Sequence, residues 1–320
     1  MNQNKQVFQG VSETLLYPLY MRYRETRRDD GRIKDKRYAE IVDQIEYDFS
    51  DLENVPEYSQ LGIICRTLIF DNIIEKFIAE NPDSTIVSLG SGLDFRFDRM
   101  DNGKVKWFDL DFPKVVEFRR KFFKENERNM FIPSSIFDYS WMDLIPERDN
   151  LLFLAEGLFV YFSKEEVKEV LSKISEKYPK SEMVLDVYSK YYIEFLKNSI
   201  STSSALLNKI YKTIKWGMES WSELKNWGTG IGFIDEWFQI EMYKERLPKS
   251  TELILSYFPW IKAFSRVGHI KFGVTENSDS SDFVIYSHMF YDQAIEQMKM
   301  YQKLMGCVNL PKPGREQTIF

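Results

Sequence analysis

Hydrophobic positions recur along the chain with two different periods, and the change from one to the other organises it. Residues 12 to about 60 are rich in Arg, Tyr and acids and carry helical rather than alternating patterning. Ile63, Thr67, Phe70, Ile74 and Phe77 then recur at three- and four-residue steps, which predicts a long helix from about Ser59 to Glu80. Asn81-Pro82-Asp83 ends it, because proline disfavours helical backbone in the residue before it. Short apolar, β-branched runs follow: Thr85–Leu89, Val105–Leu110, Met130–Pro133, Leu151–Ala155 and Glu182–Tyr188 read as strands. Helices are predicted between them, from about Lys114 to Glu125 and from Lys164 to Tyr178. The second starts at Ser163-Lys-Glu-Glu166, which has the S-x-x-E form of a capping box. Strands alternating with helices predict a parallel sheet covered on both faces.

From Lys190 to Pro259 the strand pattern lapses. Ile234–Tyr243 is amphipathic and reads as a helix, and Trp216, Trp221, Trp227 and Trp237 crowd the same stretch. This predicts a helical insertion over the ligand edge of the sheet. Two closing strands are expected within Ala263–Val274 and Ser281–Phe290, then a helix from Asp292 to Met305 and a loose tail at Pro311–Gly314. The expected fold is α/β, a doubly wound, mostly parallel seven-stranded sheet with a helical N-terminal and an inserted cap. Its expected divisions are residues 1–60 (N-terminal cap), 61–190 (core), 191–260 (inserted cap) and 261–320 (closing strands and last helix).

The bulk numbers narrow the chemistry. A chain of 320 residues has room for a core domain and a cap. The net charge of −6 removes any general attraction to nucleic acid or anionic membrane, and the cluster Arg22, Arg24, Arg27, Arg28 is diluted by Glu25, Asp29 and Asp30. Two cysteines, Cys65 and Cys307, and two histidines, His269 and His288, have no zinc-site spacing and leave little material for histidine-based nucleophilic catalysis. With no apolar signal segment at the start and no 18-residue apolar stretch, a cytoplasmic protein without metal is expected. Aromatic residues make up 16% of the chain, enough to line an apolar pocket.

Three features each follow a strand directly, where open parallel sheets bind ligands. Gly90-Ser-Gly92 lets backbone approach a ligand where a Cβ would collide. The loop lacks the third glycine of a dinucleotide fingerprint, which counts against a nicotinamide dehydrogenase and leaves a nucleoside without pyrophosphate open. Asp109 and Asp111 share one face of the second strand. Asp111, at the strand end, either caps the next helix or accepts bonds from two ribose hydroxyls. Glu156 follows five apolar residues, and a charge there reaches solvent or faces a ligand, because burying it unpaired is costly.

Ile86-Val-Ser-Leu-Gly-Ser-Gly-Leu-Asp-Phe-Arg96, Trp107-Phe-Asp-Leu-Asp-Phe-Pro113 and Leu154-Ala-Glu-Gly-Leu-Phe-Val-Tyr161 together resemble the leucine carboxyl methyltransferase family, which includes bacterial polyketide-type O-methyltransferases. Arg66-Thr67 and Arg22-Tyr-Arg-Glu25 resemble two further family motifs, and the likeness runs over roughly residues 12–190. It implies a Rossmann-like class I fold and S-adenosylmethionine as cofactor, with S-adenosylhomocysteine as product. Carried over, it implies cofactor contacts at Arg22, Arg66, Gly90, Gly92, Asp111 and Glu156, with Ser135 and Ile136 beside the adenine and Asp138 as a substitute. It implies methyl transfer to a carboxylate or hydroxyl oxygen of a small molecule. The alternatives are a protein C-terminal carboxylate as acceptor, or a catalytically silent nucleoside-binding protein. No catalytic base is assigned, and the acceptor and the oligomeric state are left open.

Overall fold

The computed structural model describes residues 10–274, apart from 148, 199–200, 228–229, 243, 247–248 and 250–258. The expected segments Ser281–Phe290, Asp292–Met305 and Pro311–Gly314 lie outside the described residues. Helices α1 (Leu16–Thr26), α2 (Arg37–Gln44), α3 (Ser50–Glu53) and α4 (Glu57–Glu80) precede the sheet. Then come β1 (Thr85–Leu89), α5 (Arg96–Met100), β2 (Lys106–Asp111), α6 (Pro113–Arg119), β3 (Asn129–Pro133), β4 (Leu151–Ala155), α7 (Lys164–Lys177) and β5 (Glu182–Tyr188). The remainder is α8 (Lys190–Asn198), α9 (Ala205–Thr213), α10 (Ser222–Lys225), β6 (Gly232–Phe238) and β7 (Ser265–Lys271).

One seven-stranded sheet has the order β3-β2-β1-β4-β5-β7-β6. β3, β2, β1, β4 and β5 run parallel, and β7 is antiparallel to both β5 and β6. The chain leaves β1 toward β2 and β3, then returns to place β4 on the other side of β1. That reversal opens a crevice at the carboxyl ends of β1 and β4. β1 and β4 are buried at every residue, as strands with both faces covered must be. On one face, Phe70, Ile74 and Phe77 of α4 pack on Ile86, Trp107 and Leu152. On the other, Val167, Leu171 and Ile174 of α7 pack with Phe153 and Leu185.

α7 starts as its sequence predicts. The Glu166 N–H donates to Ser163 Oγ (3.2 Å) and the Ser163 N–H to Glu166 Oε2 (2.7 Å). α6 stops at Arg119, earlier than the expected Glu125. The expected helix over Ile234–Tyr243 is overturned: Gly232–Phe238 is a strand, followed by a single 3₁₀ turn at Gln239–Glu241. A register shift between Phe233 and Asp235 breaks the two-residue alternation, so the segment does not read as a strand locally. Its pairing with β7 supplies the backbone partner that decides its conformation. Among the described residues no helix is long and apolar enough to cross a membrane.

Candidate active site

A cavity of about 420 Å³ opens at the switch point, within the size range of small-molecule sites. The ends of β1, β2 and β4 supply Gly90, Asp111 and Glu156 to its wall, α1 supplies Arg22, and α4 supplies Arg66. Gly90 and Gly92 hold φ of +66° and +51°, a left-handed backbone that side chains with a Cβ rarely adopt. The Gly90 and Ser91 amides both donate to the Leu110 carbonyl (2.8 and 3.0 Å), and the Gly92 amide donates to Asp111 Oδ2 (2.8 Å). The Phe112 amide donates to Asp111 Oδ1 (2.7 Å). Burial pushes the Asp111 carboxyl above its usual range, against the opposing pull of the two amides and Arg119. Each of its oxygens receives one amide and retains a lone pair for a ligand hydroxyl.

Glu156 is the centre of a charged cluster. Arg22 Nη2 lies 2.5 Å and Arg66 Nε 3.1 Å from its Oε1. Arg96 Nη2 lies 2.6 Å from Oε2, off the hydrogen-bond direction. Burial alone would raise the Glu156 pKa, but Arg96, Arg22 and Arg66 together hold it well below the usual carboxylate range. Each arginine is itself anchored. Arg22 Nε donates to Thr67 Oγ1 (2.9 Å), and Arg66 Nη1 donates to Asp186 Oδ2 (2.9 Å). Arg96 Nε donates to Asp71 Oδ1 (2.5 Å), and Arg96 also pairs with Asp94. Asp186 in turn accepts from the Gly157 amide (2.6 Å), which fixes the backbone just after Glu156.

Of the residues singled out from sequence, Arg22, Arg66, Gly90, Gly92, Asp111 and Glu156 all line this one cavity. Ser135 and Ile136 do not. The Ser135 hydroxyl accepts from the Phe137 amide (3.3 Å), Ile136 is buried in the core, and Asp138 accepts from Ser140. Phe137 and Phe112 line the cavity in that region instead. Sequence reading missed Asp186 as a partner of Arg66. An acid inside an apolar strand was the available signal, since a buried charge requires an opposite one. Among the described residues no cluster of three His, Cys, Asp or Glu side chains is arranged to hold a metal.

A sheet of this order, with a glycine turn after β1 and an acid ending β2, is a Rossmann-like fold with a nucleoside-type site at its switch point. Residues 18–175 match the family model described as leucine carboxyl methyltransferase. Over that stretch the chain is similar to that family, and it is an S-adenosylmethionine-dependent methyltransferase. It is 28% identical over 233 residues to the tetracenomycin polyketide synthesis O-methyltransferase TcmP of Streptomyces glaucescens, covering 72% of this chain and 84% of that one. It is 26% identical over 267 residues to the S-adenosyl-L-methionine-dependent methyltransferase dpfgK of Gibberella zeae, covering 76% and 87%. A crystal structure from Thermobifida fusca reported as a methyltransferase shares the fold at a TM-score of 0.51 with 12% identity, over 82% of this chain and 94% of that one.

The residues present fit that cofactor. Arg66 Nη2 and Arg22 Nη1 carry no hydrogen bond among the described residues, and both side chains line the cavity, as a ligand carboxylate requires. The Ser91 hydroxyl is buried without a partner in the glycine turn, and Asp111 offers a carboxylate at the right strand end for a ribose. A Cβ on Gly90 would sit 2.7 Å from Leu158 Cδ1. Gly90→Ala is therefore expected to weaken S-adenosylhomocysteine binding several-fold and to cost about 1–3 kcal/mol of stability through its backbone strain. Calorimetry and thermal unfolding read the two effects separately.

Proposed function

We propose that this enzyme methylates a carboxylate or hydroxyl oxygen of a small molecule. Arg66, Arg22 and Glu156 grip the amino-acid end of the cofactor, and Asp111 the ribose. Gly90 and Gly92 allow close approach of the backbone, and Phe112 and Phe137 flank the adenine. Residues 61–190 supply most of the cofactor-binding core, and α1, α8 and α9 complete the acceptor chamber.

The observation that carries this reading is the composition of the cavity beyond the cofactor residues. Tyr17, Tyr58, Tyr188, Tyr192 and Tyr211 line it, from α1, α4, the end of β5, α8 and α9. The Tyr17 hydroxyl donates to the Ser59 carbonyl (2.9 Å), and Ser59 Oγ meets the Tyr211 hydroxyl at 3.1 Å. The Tyr188 and Tyr192 hydroxyls make no hydrogen bond among the described residues and are available to an acceptor. Burial pushes Tyr211 up to about 12 and raises Tyr161 and Tyr188 as well. These phenols therefore donate hydrogen bonds near neutral pH and do not accept protons. No histidine lines the cavity among the described residues, and Asp111 and Glu156 are committed to amides and arginines.

Bound S-adenosylmethionine supplies an electrophilic methyl group on its sulfonium. What remains for the protein is to hold an oxygen nucleophile in line and exclude water, which the apolar rings and phenol donors accomplish. An acceptor that arrives ionised needs no base. With a carboxylate acceptor the rate is expected to stay level between pH 6 and 9, and with a phenol it is expected to rise with the acceptor's own pKa. Transfer of labelled methyl to a panel of hydroxylated aromatic acids, beside a peptide ending in a leucine carboxylate, tests the acceptor class. Methylation of the peptide alone would reverse the small-molecule reading.

A further inference from the structure

The glycine turn that receives the cofactor is braced from behind by a buried ion pair that never reaches the cavity. Arg119, the last residue of α6, is only 1% exposed. Its Nη2 donates to Asp109 Oδ2 at 2.7 Å and its Nη1 to the Gly92 carbonyl at 3.1 Å. Phe123 and Phe131 hold the guanidinium, their ring centroids 4.8 and 4.6 Å from its carbon. Asp109 Oδ1 is fixed in turn by the Trp107 indole N–H at 3.2 Å.

These contacts form a closed circuit. Asp109 and Asp111 stand on one face of β2, two residues apart. From Asp109 the path runs through Arg119 to the Gly92 carbonyl. From Gly92 it returns through the amide to Asp111 Oδ2. Gly92 has the least restricted backbone of any residue type and sits at positive φ, so its two flanking peptide planes need outside support to stay put. The Asp111 carboxylate holds one plane and Arg119 the other.

The arrangement is costly. Arg119 Nε is buried without a hydrogen-bond partner. Burial pushes the Asp109 carboxyl up to about 7 despite the guanidinium beside it. A pair serving only to fill the core would be replaced by apolar side chains at no loss, and often with a gain.

We infer that Arg119, anchored by Asp109, is a positioning residue for the cofactor: it pre-sets the Gly92 peptide, and through it Asp111, in the binding conformation. The inference rests on the cofactor site proposed above. Without the brace the turn must be ordered at the moment of binding, and affinity falls by that entropy.

Two variants test it by calorimetry with S-adenosylhomocysteine. Arg119→Lys keeps a charge beside Asp109, but a point-like ammonium cannot bridge two acceptors as the guanidinium fork does. The double replacement Arg119→Leu with Asp109→Leu removes both charges together and leaves no charge unpaired, although the Trp107 indole loses its acceptor, so its melting temperature is measured beside its affinity. Both are expected to bind roughly tenfold more weakly, with the loss in the entropy of binding. In the free Arg119→Lys protein, hydrogen exchange is expected to quicken at the Ser91–Leu93 amides. A pair with a merely structural role would lower the melting temperature and leave both affinity and local exchange alone. Unchanged affinity in either folded variant overturns the inference while the cofactor site stands. No binding by the wild type overturns the cofactor site itself, and this inference with it.

Discussion

Glu156→Gln is expected to cost roughly 3–5 kcal/mol of folding stability, the range for breaking one partner out of a buried ionic cluster. The side chain is nearly buried and stands among Arg22, Arg66 and Arg96. Glutamine keeps its shape and one acceptor oxygen but removes the charge that three guanidiniums share. Asp186, Asp71 and Asp94 still compensate Arg66 and Arg96. Arg22 has no other carboxylate among the described residues and keeps only the Thr67 hydroxyl. The cost should therefore centre on α1, which is tied to the sheet's ligand edge through this pair. Linkage gives a second check. The folded-state pKa of Glu156 lies below the unfolded value of about 4.3. The stability it contributes is thus fully present above that value and is lost as the pH falls through the folded pKa. In urea unfolding, the gap between wild type and Glu156→Gln should be widest at pH 7 and narrow steadily as the pH is lowered from 5 to 3. A gap independent of pH would mean that the carboxylate's charge is not what stabilises the cluster.

How far the sequence exposes this site depends on the range of the interactions that build it. β1 and β4 are legible because a strand buried on both faces is a continuous apolar run, and the run ends where the ligand edge begins. The Ser163 capping box is legible because both partners lie within one helical turn. β6 is not, because its conformation comes from β7 across the sheet and its bulge erases the alternation. The same division holds inside the site. Asp111 and Glu156 stand out as charges at the ends of apolar strands, and Arg66 as a charge within an apolar helix. That Arg66 reaches Glu156 ninety positions away, and Asp186 beyond it, follows only from the topology. Arg119 is the extreme case: within Phe118-Arg-Arg-Lys121 it reads as one of several solvated cations, yet it is almost wholly buried. Ser135 and Ile136 show the converse, since a motif position locates the loop after β3 without saying which of its side chains turns inward.

Asp111→Ala should weaken S-adenosylhomocysteine binding about a hundredfold while leaving the protein folded. A carboxylate receiving two ribose hydroxyls makes two charge-assisted hydrogen bonds, each worth roughly 1.5–3 kcal/mol, so the loss of about 3 kcal/mol is the lower end of that sum. The folded state suffers less. The carboxylate is only half-buried, its pKa is raised by desolvation, and its removal relieves that cost. Against this, the Gly92 and Phe112 amides lose their acceptor at a cavity wall where water replaces it. Asp111→Asn separates the two contributions. The amide side chain keeps an oxygen for one donor but offers an N–H to the other, so it cannot accept from both a backbone amide and a ribose hydroxyl on each side. It should recover part of the folded-state contacts and little of the affinity. Calorimetry on the three proteins, with melting temperatures recorded in the absence of ligand, gives both quantities. If Asp111→Ala bound S-adenosylhomocysteine as tightly as the wild type, the ribose would have to be held elsewhere, and the acid at the end of β2 would be left as the support of the glycine turn alone.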